Sequence, residues 1–273
     1  MIGPSLVPDL AALPPSLRLD RTGDVAVLSL SRAKKRNALD DATVLGLGAF
    51  FAAPPGWARA AVLAADGSHF SAGLDLGELR ERDTLDGLHH SRMWHHAFGQ
   101  IESCPVAVIC VLKGAVIGGG LELACATHIR VAERSAFFAL PEGERGLFVG
   151  GGGSVRIQRL IGAARMTDMM LTGRVLSAAD AERYGLAQYV VDDGAGLDTA
   201  LGLAARVAQN SPVTTYAVLH ALPRIAEAGP EAGLLLESLM SAVAQDSVEA
   251  KDRMRAFLDG TAAKVTNPQE SNR

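Results

Sequence analysis

Hydrophobic and polar positions follow two different periods along most of the chain. Short apolar runs at 60–66, 106–114 and 136–140 predict buried strands, whereas residues 83–104 repeat apolar positions at helical spacing. Inside residues 17–32, a Thr-Gly turn separates two alternating runs, which predicts a β-hairpin. Strand and helix patterns therefore interleave, and this order is typical of an α/β fold.

Further elements follow from the same patterns. We expect strands at 128–133 and 187–191 and helices at 43–53, 119–127, "SVRIQRLIG" and "ARMTDMMLTG". Asp83 or Thr84 is expected to cap the helix at 83–104, which Pro105 ends. From 197 to 258 the pattern is helical throughout, with breaks at Pro212 and Gly229-Pro230. We therefore divide the chain into a loose leader at 1–15, an α/β core containing the site at 16–196, and a helical region at 197–273.

Composition narrows the classes of protein to consider. The chain has 273 residues, of which 48% are hydrophobic and 21% charged, as in ordinary globular proteins. A net charge of −4 argues against nucleic-acid or anionic-membrane partners. No apolar stretch is long enough to span a bilayer, and the N-terminus lacks a basic signal-peptide region. Cys104, Cys110 and Cys125 form no CxxC motif, so a reducing cytoplasm is the expected location.

Two glycine-rich stretches could carry chemistry. In "SHFSAGLDLGEL" (68–79) the chain turns after a strand and can expose a backbone N–H. In "KGAVIGGGLELA" (113–124) a glycine turn joins a strand to a helix whose first turn holds Glu122. No Gly-Lys-Ser/Thr follows, and Leu123 stands where a dinucleotide fingerprint needs Gly or Ala, so both nucleotide loops are excluded. Each stretch alone is equally consistent with a packing turn.

A third stretch, "AFFALPEGERGLFVGGGGSVRIQRL" (136–160), places Glu142 after a strand-like run and four glycines before a helix. Without a following lysine the glycines do not form a phosphate loop. Taken by itself, Glu142 fits a surface turn as well as a catalytic role.

Together, the three stretches resemble the crotonase (enoyl-CoA hydratase/isomerase) superfamily. "RAKKRNALD" (32–40) and "MRAFLDGTAAKV" (254–265) are similar to two further segments of that family, so the likeness covers residues 16–265. It implies a crotonase-like spiral of ββα units with a C-terminal helical trimerisation region. It also implies a homotrimer or a dimer of trimers, with an acyl-CoA as the partner molecule.

The resemblance also implies a reaction and its residues. Relatives hold the thioester oxygen of an acyl-CoA between two backbone N–H groups, and the matching positions are Ala72 and Gly119. Glu122 and Glu142 match the two glutamates of the family's hydratases. We therefore expect an enoyl-CoA hydratase, a lyase of fatty acid metabolism that adds water across the 2,3 double bond without a separate cofactor. Double-bond isomerisation or carbon–carbon cleavage on the same fold, and a non-catalytic binder, remain alternatives.

The binding positions that the resemblance implies are less sharply marked. Those for coenzyme A are Lys34, Lys35, Arg36, Ala38, Leu74, Asp75, Leu76, Phe257 and Lys264. Those for the acyl group are Trp94, His95 and Gly118. Our hypothesis is that Trp94 and a histidine favour an aromatic or polar acyl group over a plain long chain.

Two features depart from the family's usual hydratase pattern. Glu144 and Arg145 follow Glu142 in "PEGERG", and they either pair on the surface or offer Glu144 as the site carboxylate. The predicted helix at 83–104 also contains four histidines, two of which, His89 and His96, share a face. No carboxylate or cysteine lies at a ligand offset, so we expect no metal site.

Overall fold

A computed structural model describes residues 13–75, 77, 81 and 83–261. The chain divides into two compact units, residues 1–209 and 210–273. Leu76 and Lys264, both predicted to contact coenzyme A, and most of the predicted leader lie outside the described residues.

All strands of the described residues lie in the first unit. Their bounds are β1 Leu17–Thr22, β2 Val25–Leu30, β3 Ala60–Ala65, β4 Ala107–Leu112, β5 Ala115–Ile117, β6 Ile129–Glu133, β7 Phe137–Ala139, β8 Leu176–Ser177 and β9 Tyr189–Val191. Six of them form one sheet in the order β1-β2-β3-β4-β6-β9, and β5-β7-β8 form a smaller one. The predicted hairpin is confirmed as the antiparallel β1–β2 pair, and the remaining pairs of the large sheet are parallel.

Helices of the first unit follow the strands in an alternating order, which confirms the α/β class. They are α1 Asp41–Ala52, α2 Thr84–Glu102, α3 Gly119–Cys125, α4 Gly153–Ile161, α5 Ala163–Thr172, α6 Ala178–Tyr184 and α7 Gly196–Ala208. The side chain of Asp83 accepts a hydrogen bond from Asp86 N–H at 2.8 Å, so Asp83 is the cap of α2. Short 3₁₀ turns lie at Ala33–Lys35 and Gly143–Arg145.

Both faces of the large sheet are buried, which explains the continuous apolar strands. Along β3, Leu63 and its alternate neighbours pack into one core cluster, and Val62 and its neighbours pack into another. Side chains of β4 divide in the same way, with Cys110 on one face and Ile109 on the other. Strand alternation therefore gives the unit two hydrophobic layers around one sheet.

Helix α7 belongs to the first unit, which moves the predicted boundary at residue 196 to residue 209. Ala200, Leu203 and Ala204 are buried and share the cluster that contains Val62 and Ile109. Periodicity predicts the helix at 197–208 but does not reveal which surface its apolar face covers, so the sequence does not separate it from the C-terminal helices.

The small sheet sets two parts of the chain side by side. β5 and β7 are parallel, and Gly118 N–H just after β5 donates to Ala139 O at 3.0 Å. The start of α3 therefore lies next to the loop that follows β7. Neither β5 nor β8 was predicted, because runs of three and two residues carry no readable period.

The second unit is helical, as expected. Its helices are α8 Pro212–Tyr216, α9 Leu222–Glu227, α10 Pro230–Asp246 and α11 Val248–Leu258, with a π-helical turn at Ala217–Ala221. Pro212 and Pro230 open their helices in the first turn, where a missing N–H costs nothing. In neither unit does a described helix combine the length and apolar character needed to cross a bilayer.

Candidate active site

Glu122 lies in the first turn of α3 and is 3% exposed. Its Oε1 accepts hydrogen bonds from Gly151 N–H at 2.7 Å and from Gly153 N–H at 2.8 Å. A Cβ on Gly153 would lie 2.7 Å from Glu122 Cγ, and one on Gly151 would lie 3.2 Å from Glu122 Oε2. Side chains at these positions would displace the carboxylate. The glycine run at 150–153, for which the sequence suggested no function, therefore forms the cradle of Glu122.

Glu142 follows β7 and Pro141 and approaches Glu122 from a different element. A Cβ on Gly118 would lie 2.5 Å from Glu142 Oε1, so the glycine next to α3 makes room for this side chain. Glu142 Oε2 is buried and has no hydrogen-bond partner among the described residues. A buried polar atom without a partner is costly and is rare outside functional sites.

The two carboxyl groups have perturbed proton affinities. Burial is the main cause that raises the pKa of Glu142 to about 7, and the charge of Glu122 adds to the rise. Burial also raises the pKa of Glu122, against the opposing effect of the Gly153 and Gly151 amides. Groups coupled in this way titrate as a pair, so the site can hold one proton between two carboxylates near neutral pH.

The amide of Ala72 does not point into the site, which corrects the predicted pair of backbone donors. Ala72 N–H donates to Arg36 O at 2.9 Å. Further along the same segment, Gly73 O accepts from Leu39 N–H and Asp75 N–H donates to Leu39 O, at 2.8 Å each. Because successive backbone groups of an extended segment alternate in direction, the N–H of Leu74 faces the opposite side.

Leu74 and Gly119 supply the two amides that remain available. Neither N–H donates to another group within the described part of the chain. The two amides are neighbours, since a Cβ on Gly119 would lie 3.7 Å from Leu74 N, and one on Gly73 would lie 3.3 Å from Gly119 N. Gly119 is the first residue of α3, where a helix leaves its N–H groups unpaired. The pair is therefore Leu74 and Gly119 rather than Ala72 and Gly119.

These groups line one cavity of about 500 Å³. The residues that surround it are Ala72, Gly73, Leu74, Gly87, His90, Ser91, Trp94, Ile117, Gly118, Gly119, Glu122, Pro141, Glu142, Arg145, Leu147, Phe148, Val149, Gly150 and Gly151. The lining includes both glutamates and both available amides. It also includes Trp94 and Gly118, which were predicted to contact the acyl group. Glu144, the alternative site carboxylate, is exposed and is absent from this lining.

The histidine at the cavity is His90, which corrects the prediction of His95. Trp94 is buried against Phe98, with ring centroids 5.4 Å apart, and one helical turn earlier His90 reaches the same face of α2. His90 Nε2 lies 2.8 Å from Asp41 Oδ1. His95 follows Trp94 directly, so the helix turns it towards solvent. Among the described residues, no three histidine, cysteine or carboxylate side chains converge as metal ligands.

The basic segment at 32–36 lies beside the segment that contains Leu74. Lys34, Lys35 and Arg36 are exposed, and Ala38 is buried. The side chain of Asp75, predicted to contact coenzyme A, instead holds these segments together, because it is buried and ion-paired with Arg32 and Lys35. A hydrogen bond from Gly77 N–H and these two cations hold the pKa of Asp75 well below its usual range.

Phe257, also predicted at the coenzyme A site, lies on α11 in the second unit. Its side chain is 72% exposed there. Contact between Phe257 and coenzyme A stays a prediction.

The comparison with known sequences identifies the family of the chain. A family model described as enoyl-CoA hydratase/isomerase matches residues 20–267. The chain belongs to this family. It is 29% identical over 244 residues to a short-chain-enoyl-CoA hydratase of Clostridium acetobutylicum, covering 88% of this chain and 94% of the relative. It is 30% identical over 246 residues to a 2,3-dehydroadipyl-CoA hydratase of Escherichia coli K12, covering 89% and 95%.

Solved structures extend the likeness to the fold. A provisionally named enoyl-CoA hydratase from Rhodopseudomonas palustris superimposes with a TM-score of 0.88 at 60% sequence identity. The match covers 92% of this chain and 97% of that one. The expected crotonase fold is thereby confirmed, with both sheets and the C-terminal helices present.

We predict that Glu142→Gln stabilises the protein at alkaline pH. The folded-state pKa of about 7 lies above the ordinary 4.5, so ionisation of Glu142 destabilises the fold increasingly as the pH rises from 4.5 through 7. Relative to the unmodified protein, the variant gains on the order of 1–3 kcal/mol at pH 8, and the gain shrinks towards pH 5. Urea unfolding at several pH values measures the difference.

Glu144→Gln is the matched control, because it removes the same charge two residues away at an exposed position. It should show no such pH-dependent gain. An equal gain in both variants would show that overall charge, rather than burial of Glu142, is responsible.

Proposed function

We propose that the protein is an enoyl-CoA hydratase, which adds water across the 2,3 double bond of a 2-enoyl-CoA thioester. The observation that carries the proposal is the meeting of Glu122 and Glu142, from different elements, in one cavity beside two unpaired amides. Hydration needs a group that takes a proton from water and one that gives a proton to C2. The hydratase names of the similar proteins support the same class of reaction.

The amides of Leu74 and Gly119 are suited to bind the thioester oxygen. When the water oxygen adds to C3, electrons move towards the thioester oxygen and an enolate forms. Two N–H groups fixed beforehand stabilise the negative charge without reorganisation, and one such donor is commonly worth about 3–4 kcal/mol of barrier. A side chain on Gly119 would meet the Trp94 ring at 2.8 Å, so glycine keeps this approach open.

The glutamate pair can complete the proton balance. Water loses one proton to a carboxylate as its oxygen bonds to C3, and C2 receives one proton from a carboxyl group. Glu122 is held through Oε1, which leaves Oε2 for water, and the pKa of Glu142 of about 7 suits proton transfer near neutrality. Coenzyme A enters as part of the substrate, and we propose no separate cofactor.

We predict that Glu122→Gln and Glu142→Gln each lower kcat by about 10²–10⁴, because an amide cannot exchange the proton that the reaction moves. Loss of enoyl-thioester absorbance with crotonyl-CoA measures the rate, and mass spectrometry of the product detects the added water. Glu144→Gln serves as the control and should retain activity.

Full hydration activity in either glutamine variant at the cavity would contradict the proposed roles. A product of unchanged mass with a displaced double bond would instead favour the isomerase alternative, which one carboxylate can support.

The acyl end of the cavity is framed by Trp94 and His90. We propose, as the sequence suggested, that an aromatic ring and a histidine here favour an aromatic or polar acyl group. The ring centroids of the two residues lie 5.9 Å apart, and Asp41 orients the imidazole. A flat aromatic acyl group gains from stacking, and a polar one gains from the histidine.

We predict that Trp94→Ala and His90→Ala both lower the kcat/KM ratio of cinnamoyl-CoA to crotonyl-CoA, by about 3–30-fold. His95→Ala should leave that ratio unchanged, because His95 lies outside the cavity lining. Steady-state kinetics with both substrates gives the ratio. A ratio unaffected by the first two changes would exclude this account of the acyl pocket.

We also propose a homotrimer, or a dimer of trimers, assembled through the second unit. Large apolar side chains on α10 and α11 are exposed in the single chain, namely Leu234, Leu235, Leu239, Val243, Met254, Phe257 and Leu258. Exposed apolar surface of this kind marks an interface more often than a solvated face. Light scattering on the purified protein gives the number of chains.

A further inference from the structure

The glycine run at 150–153 carries both donors to Glu122 but has no side chains that fix its own peptide planes. Gly151 N–H and Gly153 N–H donate to Glu122 Oε1, and Gly152 between them has a φ of 95°. Glycine populates many backbone conformations, so the run does not hold these donors in place by itself. Groups outside the run must supply the rigidity that the carboxylate needs.

Ser91 of α2 holds the first donor. Ser91 Oγ donates to Gly150 O at 2.8 Å. Gly150 C=O and Gly151 N–H belong to one trans peptide unit, so the two groups point in opposite directions. Anchoring the carbonyl on α2 therefore aims the N–H at Glu122, and the bond at one end of the unit strengthens the bond at the other.

Arg156 of α4 holds the next peptide unit. Its Nη1 donates to Gly151 O at 3.1 Å, while Nε and Nη2 lie 3.0 and 2.9 Å from Glu102 Oε2 at the end of α2. The third carbonyl, Gly152 O, accepts from the amides of Val155 and Arg156 at 3.1 Å each. The carbonyls of both donor peptide units, Gly150 O and Gly152 O, and Gly151 O between them are thus all hydrogen-bonded.

We propose that Ser91 and Arg156 are positioning residues, which fix the orientation and proton affinity of Glu122 through the peptide units of the glycine run. The catalytic part of this proposal rests on the proposed hydratase function. His95 adds an outer partner, since its Nε2 lies 3.3 Å from Ser91 Oγ. The His95 ring also hydrogen-bonds the backbone of Gly150, so it supports the same carbonyl as Ser91.

Several charged or titratable groups surround Glu122. Arg156 approaches from α4, Glu142 from the loop after β7, and Cys125 follows on α3. His90 of α2 lines the same cavity. Ser91→Ala alters none of these charges, so any change in the titration of Glu122 reports the lost hydrogen bond itself.

The test is a ¹³C NMR titration of the full chain labelled at glutamate carboxyl carbons, with the Glu122 signal assigned by Glu122→Gln. In Ser91→Ala the Gly151 donor is less well aligned, so the pKa of Glu122 should rise by about 0.5–1 unit. We also expect kcat on crotonyl-CoA to fall about tenfold at unchanged KM, the rate equivalent of one hydrogen bond. Ser91→Thr keeps the hydroxyl and should restore both values.

Ser103→Ala is the matched control. It removes the same kind of bond, from Ser103 Oγ to Gly99 O at 2.8 Å, at the far end of α2. It should change neither the pKa nor kcat. An unchanged Glu122 titration in Ser91→Ala, or an equal shift in Ser103→Ala, would overturn the assignment of Ser91.

Arg156→Lys tests the second residue without removing its charge. Lysine lacks the rigid fork of nitrogens that reaches Gly151 O and Glu102 from fixed directions, so the pKa of Glu122 should again rise. Arg159→Lys on the exposed side of α4 should have no effect. Should the unmodified protein hydrate neither crotonyl-CoA nor cinnamoyl-CoA, the proposed function is wrong. The titration of Glu122 still decides whether Ser91 and Arg156 position it.

Discussion

The carboxylate of Glu122 is buried away from water at the start of α3. Hydrogen bonds from neighbouring residues offset the loss of its hydration. An ionised group in the interior is tolerated when hydrogen bonds replace its hydration. Here the replacement comes from the amides of Gly151 and Gly153. Their closeness explains why glycine occupies these positions, and why α4 begins where it does.

The cavity also requires backbone segments to approach each other closely. The cavity is built where Gly73, Gly118 and Gly119 let strands, loop and helix come nearer than side chains would allow. On the other side the rings of Trp94 and Phe98 exclude water. An apolar wall keeps water from hydrating the charged form of either carboxyl group, which accounts for the raised pKa of both.

Local patterns predicted much of this arrangement. The hairpin, the helix capped by Asp83 and the two glutamates were recognisable because turn chemistry, capping and motif order are properties of short segments. The predictions of Ala72 and His95 were wrong because they depend on the direction in which a backbone amide or a side chain points. Ala72 was chosen over Leu74 because the side to which an amide points depends on its pairing with Leu39. His95 was chosen over His90 because the sequence does not show which face of α2 meets the cavity.

By itself, the sequence determined the α/β class, the family and the pair of glutamates, since each rests on the identity and order of residues. The tertiary structure decided which amides are available, which histidine lines the cavity and what the run at 150–153 is for. It also decided that α7 packs on the sheet. These features depend on contacts between distant segments, such as Ser91 with Gly150 and Glu122 with Gly153, whose geometry arises only when the chain packs.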